Sequence, residues 1–79
     1  MPRYYFHLHN DIDVPDDEGA ELPDLAAAIA HAKFSAREVM GQILKDEGRI
    51  TFHHSIDVED EDHQVVARVM FSEAAKVET

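Results

Sequence analysis

The chain has 79 residues and no cysteine, so neither a disulfide nor a thiol nucleophile is available to it. Its 17 Asp and Glu residues outnumber 7 Lys and Arg residues, and a net charge of −10 argues against direct binding to nucleic acid phosphates. No stretch approaches the ~18 apolar residues of a membrane-spanning helix, and the start MPRYYFHLH lacks the apolar core of a signal peptide. We therefore expect one cytoplasmic domain, residues 1–79, that contacts neither nucleic acid nor membrane.

The small size of the chain leaves little room for a hydrophobic core. A domain of this length buries only about 60% of the surface of its unfolded chain, so its stability is marginal without added support. Since cysteine is absent, association with a second copy is the simplest support, and we expect a homodimer. The acidic excess is open to three interpretations: a basic protein partner, a bound cation, or solubility alone.

The first predicted strand is Arg3–His9, an aromatic-rich segment of alternating side chains. Its inward residues should be Tyr4, Phe6 and Leu8, and its outward residues Tyr5, His7 and His9. The acidic stretch Asn10–Pro23 follows, in which Ile12–Val14 can form a short edge strand before a turn at Asp16–Gly19. We therefore expect one regular strand and one short edge strand ahead of the first helix.

The stretch Asp24–Glu47 is the one long segment with helical periodicity. Asp24 is placed to cap its first turn, and Gly48 is placed to end it in a left-handed conformation. An apolar stripe along it should cover the core. This stripe consists of Leu25, Ile29, Ala32, Ala36, Val39, Met40 and Ile43, with Ala28 at its edge.

Phe34 lies on the opposite side of the predicted helix. Its neighbours there include the small residues Ala27, Ala30 and Gly41. An aromatic ring among small side chains is suited to contact with another helix, and a single sheet covers only one side of a helix. We expect these four residues to bind a partner, most simply a second copy; one isolated exposed aromatic residue is the alternative.

The C-terminal half predicts a hairpin. Arg49–Glu59 and Gln64–Phe71 read as strands joined by a polar turn at Asp60–His63. The apolar residues expected to face the core are Ile50, Phe52, Ile56, Val58, Ala67, Val69 and Phe71, with His54 in the same register. Ser72–Thr79 can start a short helical turn capped by Ser72, and residues 73–79 should form a frayed tail. The order β(β)αββ predicts an α+β fold in which one helix packs on one face of an antiparallel sheet of three to four strands.

Three segments together resemble a known family. They are MPRYYFHL at the start, the pattern D-x-x-G-x-E-L-P-D-L-x-A-A at Asp16–Ala28, and R-V-x-F-S at Arg68–Ser72. The chain resembles a domain-of-unknown-function family of very short alphaproteobacterial proteins, which implies a bacterial cytoplasmic protein and carries over no site residues. The element order is also similar, by analogy only, to HicB-like antitoxin domains, whose surface blocks a small toxin.

Six histidines are many for a chain of this length. His7 and His9 share the outward face of the first strand, and His53 has the outward register in the strand predicted at Arg49–Glu59. If those strands are neighbours, the three imidazoles can converge and bind zinc. Solvated histidines on an open sheet face are the preferred interpretation, and a pH sensor is a third one. The carboxylates of Asp11–Glu18 and Asp57–Asp62 lack the loop pattern of a calcium hand.

The sequence contains none of the usual catalytic motifs. It has no Gly-rich phosphate loop, no G-x-S-x-G and no H-E-x-x-H, so an enzyme, such as a small hydrolase, is not expected. The leading hypothesis is a homodimeric interaction module that presents an acidic surface to a basic protein partner, with an antitoxin-like or regulatory role. Metal binding by His7, His9 and His53 is the alternative.

Overall fold

The computed structural model describes residues 1–10 and 12–78 of the chain. Its elements are β1 (Arg3–His9), β2 (Asp13–Val14), β3 (Ala20–Glu21), α1 (Leu25–Glu47), β4 (Ser55–Glu59), β5 (Val65–Met70) and α2 (Phe71–Ala74). All strand pairs are antiparallel, and the predicted α+β fold with one long helix is confirmed.

The sheet has the strand order β2-β1-β4-β5, and β3 also pairs with β1. β2 pairs with the end of β1 at Leu8 and His9, whereas β3 pairs with its start at Arg3 and Tyr4. The two short strands are therefore successive pieces of one edge, interrupted by residues 15–19. The expected short strand near Val14 is confirmed, and the second piece, Ala20–Glu21, was not predicted.

Both ends of α1 are fixed by the residues that the sequence indicated. The Asp24 carboxylate accepts a hydrogen bond from the Ala27 N–H at 2.8 Å, which satisfies one free donor of the first turn. At the other end, Gly48 has φ of 69° and its N–H donates to the Leu44 carbonyl at 2.9 Å. Capping therefore sets the length of the helix independently of its packing.

The buried side of α1 is centred on alanine. Ala28, Ala32 and Ala36 have no exposed surface, and Met40 continues the same row at a spacing of four residues. Leu25 is 38% exposed, so its expected place in the core stripe is wrong, and Ala28 lies at the centre instead of the edge. Small side chains on this row allow the helix axis to approach the sheet closely.

The sheet and α2 supply the larger core side chains. Tyr4, Ile56, Val58, Val69, Phe71 and Ala74 are buried, and Phe6, Leu8, Phe52 and Ala67 pack against them. The predicted inward face of each strand is thus confirmed. Ile50 differs: it is 52% exposed because β4 begins only at Ser55, five residues after it.

The C-terminal end is held more firmly than the expected frayed tail. Phe71 leaves β5 and begins α2, while its N–H still donates to the His54 carbonyl at 2.9 Å. Ala74 is buried, and its carbonyl accepts from Arg37 Nε at 2.6 Å. Ordered packing therefore extends through residue 75, beyond the predicted start of fraying at residue 73.

The hairpin between β4 and β5 turns where the sequence places it. The His63 N–H donates to the Asp60 carbonyl, and the Asp60 N–H donates to the Gln64 carbonyl, each at 3.0 Å. His63 has φ of 60°, the left-handed position of a three-residue hairpin loop. Within the described part of the chain, no helix is both long and apolar enough to cross a membrane.

Candidate functional site on the open face of the sheet

The face of the sheet that α1 leaves uncovered carries a ladder of ionisable side chains. Register places His7 opposite Asp57, Tyr5 opposite Glu59, and Asp57 opposite Arg68. Since side chains alternate along a strand, these residues share the face opposite to the core. A polar face of this kind suits a single-layer sheet that meets water or a partner.

His9 connects three strands of this face. Its Nδ1 lies 2.9 Å from Asp13 Oδ1 on β2, and its Nε2 lies 3.0 Å from Asp57 Oδ2 on β4. A neutral imidazole carries only one N–H, so only the doubly protonated ring can donate to both carboxylates. The hydrogen bond with Asp13 raises the pKa of His9 above 6.5, and Asp57 adds to this rise against the opposing effect of desolvation.

Asp57 is the central acceptor of the cluster. Arg68 binds it with two nitrogens, Nε to Oδ1 at 2.6 Å and Nη2 to Oδ2 at 3.1 Å. The Asp57 side chain is only 9% exposed, whereas the Arg68 side chain that covers it is 62% exposed. The hydrogen bond from Arg68 outweighs desolvation and lowers the pKa of Asp57 below its ordinary value.

A second set of contacts lies next to this cluster. His7 Nε2 is 3.2 Å from Glu59 Oε1, and His63 Nδ1 is 3.4 Å from the same oxygen. The other ring nitrogen of His7 accepts the backbone N–H of Asp16 at 3.0 Å. The rings of His63 and Tyr5 are 5.6 Å apart. These contacts tie the hairpin tip and the edge segment to β1.

Asp16 supplies hydrogen-bond acceptors where the edge of the sheet is interrupted between β2 and β3. Its Oδ2 accepts the Phe6 N–H at 3.1 Å, and its Oδ1 accepts the N–H groups of Glu18 and Gly19, each at 3.1 Å. Burial alone raises the pKa of Asp16, but the N–H donors of Gly19, Phe6 and Glu18 outweigh it and leave the pKa below its ordinary value. A side chain thus takes the place of a neighbouring strand at Phe6.

Gly19 completes this turn. Its φ is 68°, and a Cβ built on it would lie 2.6 Å from the Tyr4 carbonyl oxygen. Both the left-handed conformation and the close approach therefore require glycine. The D-x-x-G portion of the sequence pattern is explained by these two roles: Asp16 accepts three backbone N–H groups, and Gly19 lets the chain return to β1.

An open cleft of about 330 Å³ lies beside His9. Its lining combines the ladder with the edge segment: His7, Leu8, His9, Asp13, Val14, Pro15, Asp57 and Glu59. Three of these side chains are carboxylic acids, so the cleft is suited to positively charged groups. Because Asp57 is already bound by Arg68 and His9, Asp13 is the more available of its acids, with 78% of its side chain exposed.

The alternative metal site of His7, His9 and His53 is not assembled by the described residues. His53 lies in the loop before β4, where its ring contacts that of His54 at 4.5 Å, and it is not on the outward face of a strand. His7 and His9 are bound to Glu59, Asp13 and Asp57 as described above. Across residues 1–10 and 12–78, no group of three or more His, Asp or Glu side chains is arranged to hold a metal ion.

His54 lies in the core, as its register predicted. It is 3% exposed, and its ring meets that of Phe71 at 5.5 Å in an edge-to-face arrangement. Its position beside Phe71 fits a structural role at the junction of β5 and α2.

The four residues predicted to bind a partner lie on the side of α1 away from the sheet. Phe34 is 56% exposed, Ala30 and Gly41 are exposed, and Ala27 is half-buried. A Cβ built on Gly41 meets no atom within 4 Å. The structure thus places these residues on one accessible helix face; whether they bind a partner stays a prediction.

Residues 16–21 and 59–62, which overlap the two acidic segments of the sequence, meet at one end of the sheet around Arg3. The Arg3 N–H donates to Glu61 Oε1 at 2.8 Å, on the hairpin tip. Its guanidinium donates to the Glu18 carbonyl at 2.7 Å and to Glu21 Oε1 at 3.3 Å, on the edge segment. Residues 16–21 and 59–62 each contain four carboxylic acids, so the residues around Arg3 form a strongly acidic end of the molecule.

Sequence reasoning found His7 and His9 but missed the carboxylates that bind them. Asp57 and Arg68 alternate with the inward residues of their predicted strands, and only the register between β4 and β5 shows that they are opposite one another. Asp13 lay within the predicted short edge strand Ile12–Val14, but no partner was predicted for its side chain. A signal was present: an Asp and an Arg sit at outward positions of two strands joined by a predicted hairpin, where cross-strand ion pairs are common.

Comparison with known proteins identifies a family. Residues 3–72 match the family model described as Domain of unknown function (DUF6894). No curated protein and no solved structure matches the chain. The predicted membership of a domain-of-unknown-function family is confirmed, and the analogy with HicB-like antitoxin domains receives no support from these comparisons.

Proposed function

The chain belongs to the DUF6894 family of domains of unknown function, and from its surfaces we propose that it is a non-enzymatic interaction module. In this proposal, two copies associate through the exposed face of α1, and each presents its acidic end to a basic protein partner. An antitoxin-like or regulatory role in the bacterial cytoplasm fits such a module, because a small acidic protein can block a basic surface.

The observation that carries this proposal is the convergence of residues 16–21 and 59–62 around Arg3. These segments are 38 residues or more apart in the sequence, yet hydrogen bonds from Arg3 to Glu18, Glu21 and Glu61 hold them together. Eight carboxylic acids there face few cations, so the local potential is strongly negative. Fixed, concentrated charge favours recognition of a basic surface more than dispersed charge does.

The helix face supports the proposal of a homodimer. Phe34 is 56% exposed on a domain whose small core gives it limited stability of its own. Residues 25–45 carry three cations, Lys33, Arg37 and Lys45, against one anion, Glu38. In a chain of net charge −10, this is a surface where two copies can meet with little mutual repulsion.

The proposed partner surface is tested by neutralising Asp17, Glu18 and Asp62, whose side chains form no hydrogen bond or ion pair among the described residues. The variant Asp17→Asn, Glu18→Gln, Asp62→Asn removes three charges at the acidic end. The control Asp46→Asn, Glu73→Gln, Glu78→Gln removes three charges elsewhere, and the amide oxygen introduced at position 46 can still accept the hydrogen bond from Gln42. We expect the wild type and the control to retain a basic protein from a bacterial lysate at about 0.1 M salt and to release it near 1 M, as screening increases.

The acidic-end variant should lose this retention at every salt concentration. If both variants retain the same basic protein equally, the acidic end is not the binding surface. If the wild type retains none, the proposed partner class is wrong.

The homodimer is tested by light scattering after size exclusion. We expect the wild type to have twice the mass of the chain, and Phe34→Glu to have the mass of one chain, because a carboxylate would be buried at the interface. The matched control is Ala26→Glu, an exposed position on α1. A wild type that stays monomeric at high concentration contradicts this part of the proposal.

A further inference from the structure

Phe34 and Gly41 form a projection and a depression on the same helix face. They are seven residues apart on α1, so they point in nearly the same direction and are separated by about 10.5 Å along the axis. Phe34 is 56% exposed. Beside Gly41 lies an apolar groove of about 240 Å³, whose lining includes Leu44, Ile50, Phe52 and Val77.

A twofold axis can make these two features complementary. In an isologous pair, residue i of one copy contacts residue j of the other, and j contacts i. Consider an axis that runs perpendicular to the two α1 helices, at the level between residues 37 and 38. It brings residue i of one copy level with residue j of the other when i and j sum to 75. Phe34 of each copy then meets Gly41 of the other, and the two helices run antiparallel.

We propose that two copies pair through antiparallel α1 helices, with each Phe34 side chain seated in the groove beside Gly41 of the other copy. This inference rests on the proposed homodimer and specifies its geometry. The ring enters an apolar groove instead of water, and Gly41 leaves room for it because nothing lies within 4 Å of its missing Cβ.

Residues 37 and 38 flank the axis, so each of them lies close to its own copy in the partner. Arg37 Nε is bound to the Ala74 carbonyl at 2.6 Å, which holds the guanidinium at the rim of the groove, to one side of the axis.

The other positions on this face are compatible with close approach. By the same rule, Ala30 meets Lys45 and Ala27 meets Gly48, so a small residue is present in each pair. Three large apolar side chains near the groove are also exposed, Leu44 by 47%, Ile50 by 52% and Val77 by 66%. They extend the contact beyond the two helices towards the area of a stable interface.

Because the chain lacks cysteine, single introduced cysteines can test the geometry without cross-linking through native thiols. Glu38→Cys places a thiol next to the axis, close to its own copy in the partner. Glu47→Cys places a thiol on the same helix, level with residue 28 of the partner. The Glu47→Cys thiols of the two copies therefore lie about 28 Å apart along the helix axis. We expect mild oxidation to cross-link Glu38→Cys at least tenfold faster than Glu47→Cys, and adding Phe34→Glu to remove that difference.

A second variant fills the depression directly. Gly41→Leu should convert the dimer to a monomer in light scattering while circular dichroism shows an intact helix, since the new side chain meets open space in one copy. If the wild type is dimeric but the two cysteine variants cross-link at equal rates, or Gly41→Leu stays dimeric, the antiparallel geometry is wrong and the homodimer stands. If the wild type is monomeric, both the geometry and the homodimer fail.

Discussion

His9 and Asp57 are joined across β1 and β4 by a 3.0 Å contact between Nε2 and Oδ2, while the opposite ring nitrogen of His9 holds Asp13. One imidazole therefore ties the short edge strand β2 to the centre of the sheet. The link requires both ring nitrogens to carry protons, so it depends on pH.

The His9 link should stabilise the fold in acid more than in base. The pKa of His9 is raised above 6.5 in the folded protein, so its contribution is complete below that value and is lost as pH rises through the folded pKa. Replacing His9 with Gln should cost about 0.5–1 kcal/mol at pH 6 and less at pH 9. Urea unfolding at both pH values measures this difference.

The control for this experiment is His53→Gln, at an exposed histidine in the loop before β4. Asp57 sets the lower limit of the pH range in which the link to His9 stabilises the fold. Its pKa is lowered below 3.8, so its contribution is present above 3.8 and is lost only as pH falls through the lower folded value. A His9→Gln cost that is equal at pH 6 and pH 9 would contradict the doubly protonated link.

Gly19 and Gly48 separate the effect of backbone conformation from that of a close contact. Both glycines have φ near 70°. A Cβ built on Gly19 would lie 2.6 Å from the Tyr4 carbonyl oxygen, whereas a Cβ built on Gly48 would have no atom within 4 Å. Gly48→Ala should cost about 1 kcal/mol, the strain of a left-handed residue. Gly19→Ala should cost at least about 1 kcal/mol more, because β3 must move away from β1.

Thermal unfolding of the two glycine variants and the wild type measures both costs. Equal costs would show that the turn at residues 16–19 can move away from Tyr4 without a further loss of stability.

Asp16 should contribute far more to the stability of the fold than its neighbour Asp17. Asp16→Asn removes an acceptor from the Phe6, Glu18 and Gly19 N–H groups, and we expect a cost of about 1–2 kcal/mol at pH 7, as for a lost helix cap. The exposed neighbour Asp17 is the control, and Asp17→Asn should stay within about 0.5 kcal/mol of wild type. Urea unfolding of both variants gives the comparison.

The cost of Asp16→Asn should also depend on pH. The pKa of Asp16 lies below 3.8 in the fold, so its stabilisation is present above 3.8 and is lost as pH falls through that lower value. The two proteins should therefore converge in stability in strong acid. A difference that persists unchanged there would mean that the carboxylate charge is not what the N–H groups require.

The alanine row of α1 can be tested with one large side chain. Ala32 has no exposed surface, and Ala32→Leu should cost about 1–3 kcal/mol because the helix must move away from the sheet. Ala26 is exposed on the same helix, and Ala26→Leu should change stability by less than about 0.5 kcal/mol. Equal effects at the two positions would contradict the orientation of the helix.

The sequence was a good guide where local rules act. Asp24 and Gly48 set the ends of α1 through caps, and alternation assigned the inward residues of β1 and β5. It was a poor guide to helix rotation, since Leu25 is more hydrophobic than Ala28, yet Leu25 is 38% exposed and Ala28 is fully buried. Hydrophobic ranking measures transfer from water, whereas close approach selects for small size.

The candidate site was less predictable than the fold. That His9 meets Asp57 follows from β1 and β4 being neighbours, a pairing across 48 residues that no local pattern specifies. The outward strand position predicted for His53 is wrong because β4 begins only at Ser55, although the alternation continues through the preceding loop. Alternation cannot show where hydrogen bonding to a neighbouring strand begins.

Asp16 has one more consequence, which concerns how the sheet can grow. Residues 13–21 offer only two short runs of regular backbone, separated by a turn held on a carboxylate, so a further strand finds no continuous template there. The opposite border, β5, is an unbroken run of six residues with Val65 and Val66 exposed. Strand addition to the described sheet is therefore favoured on one edge, that of β5.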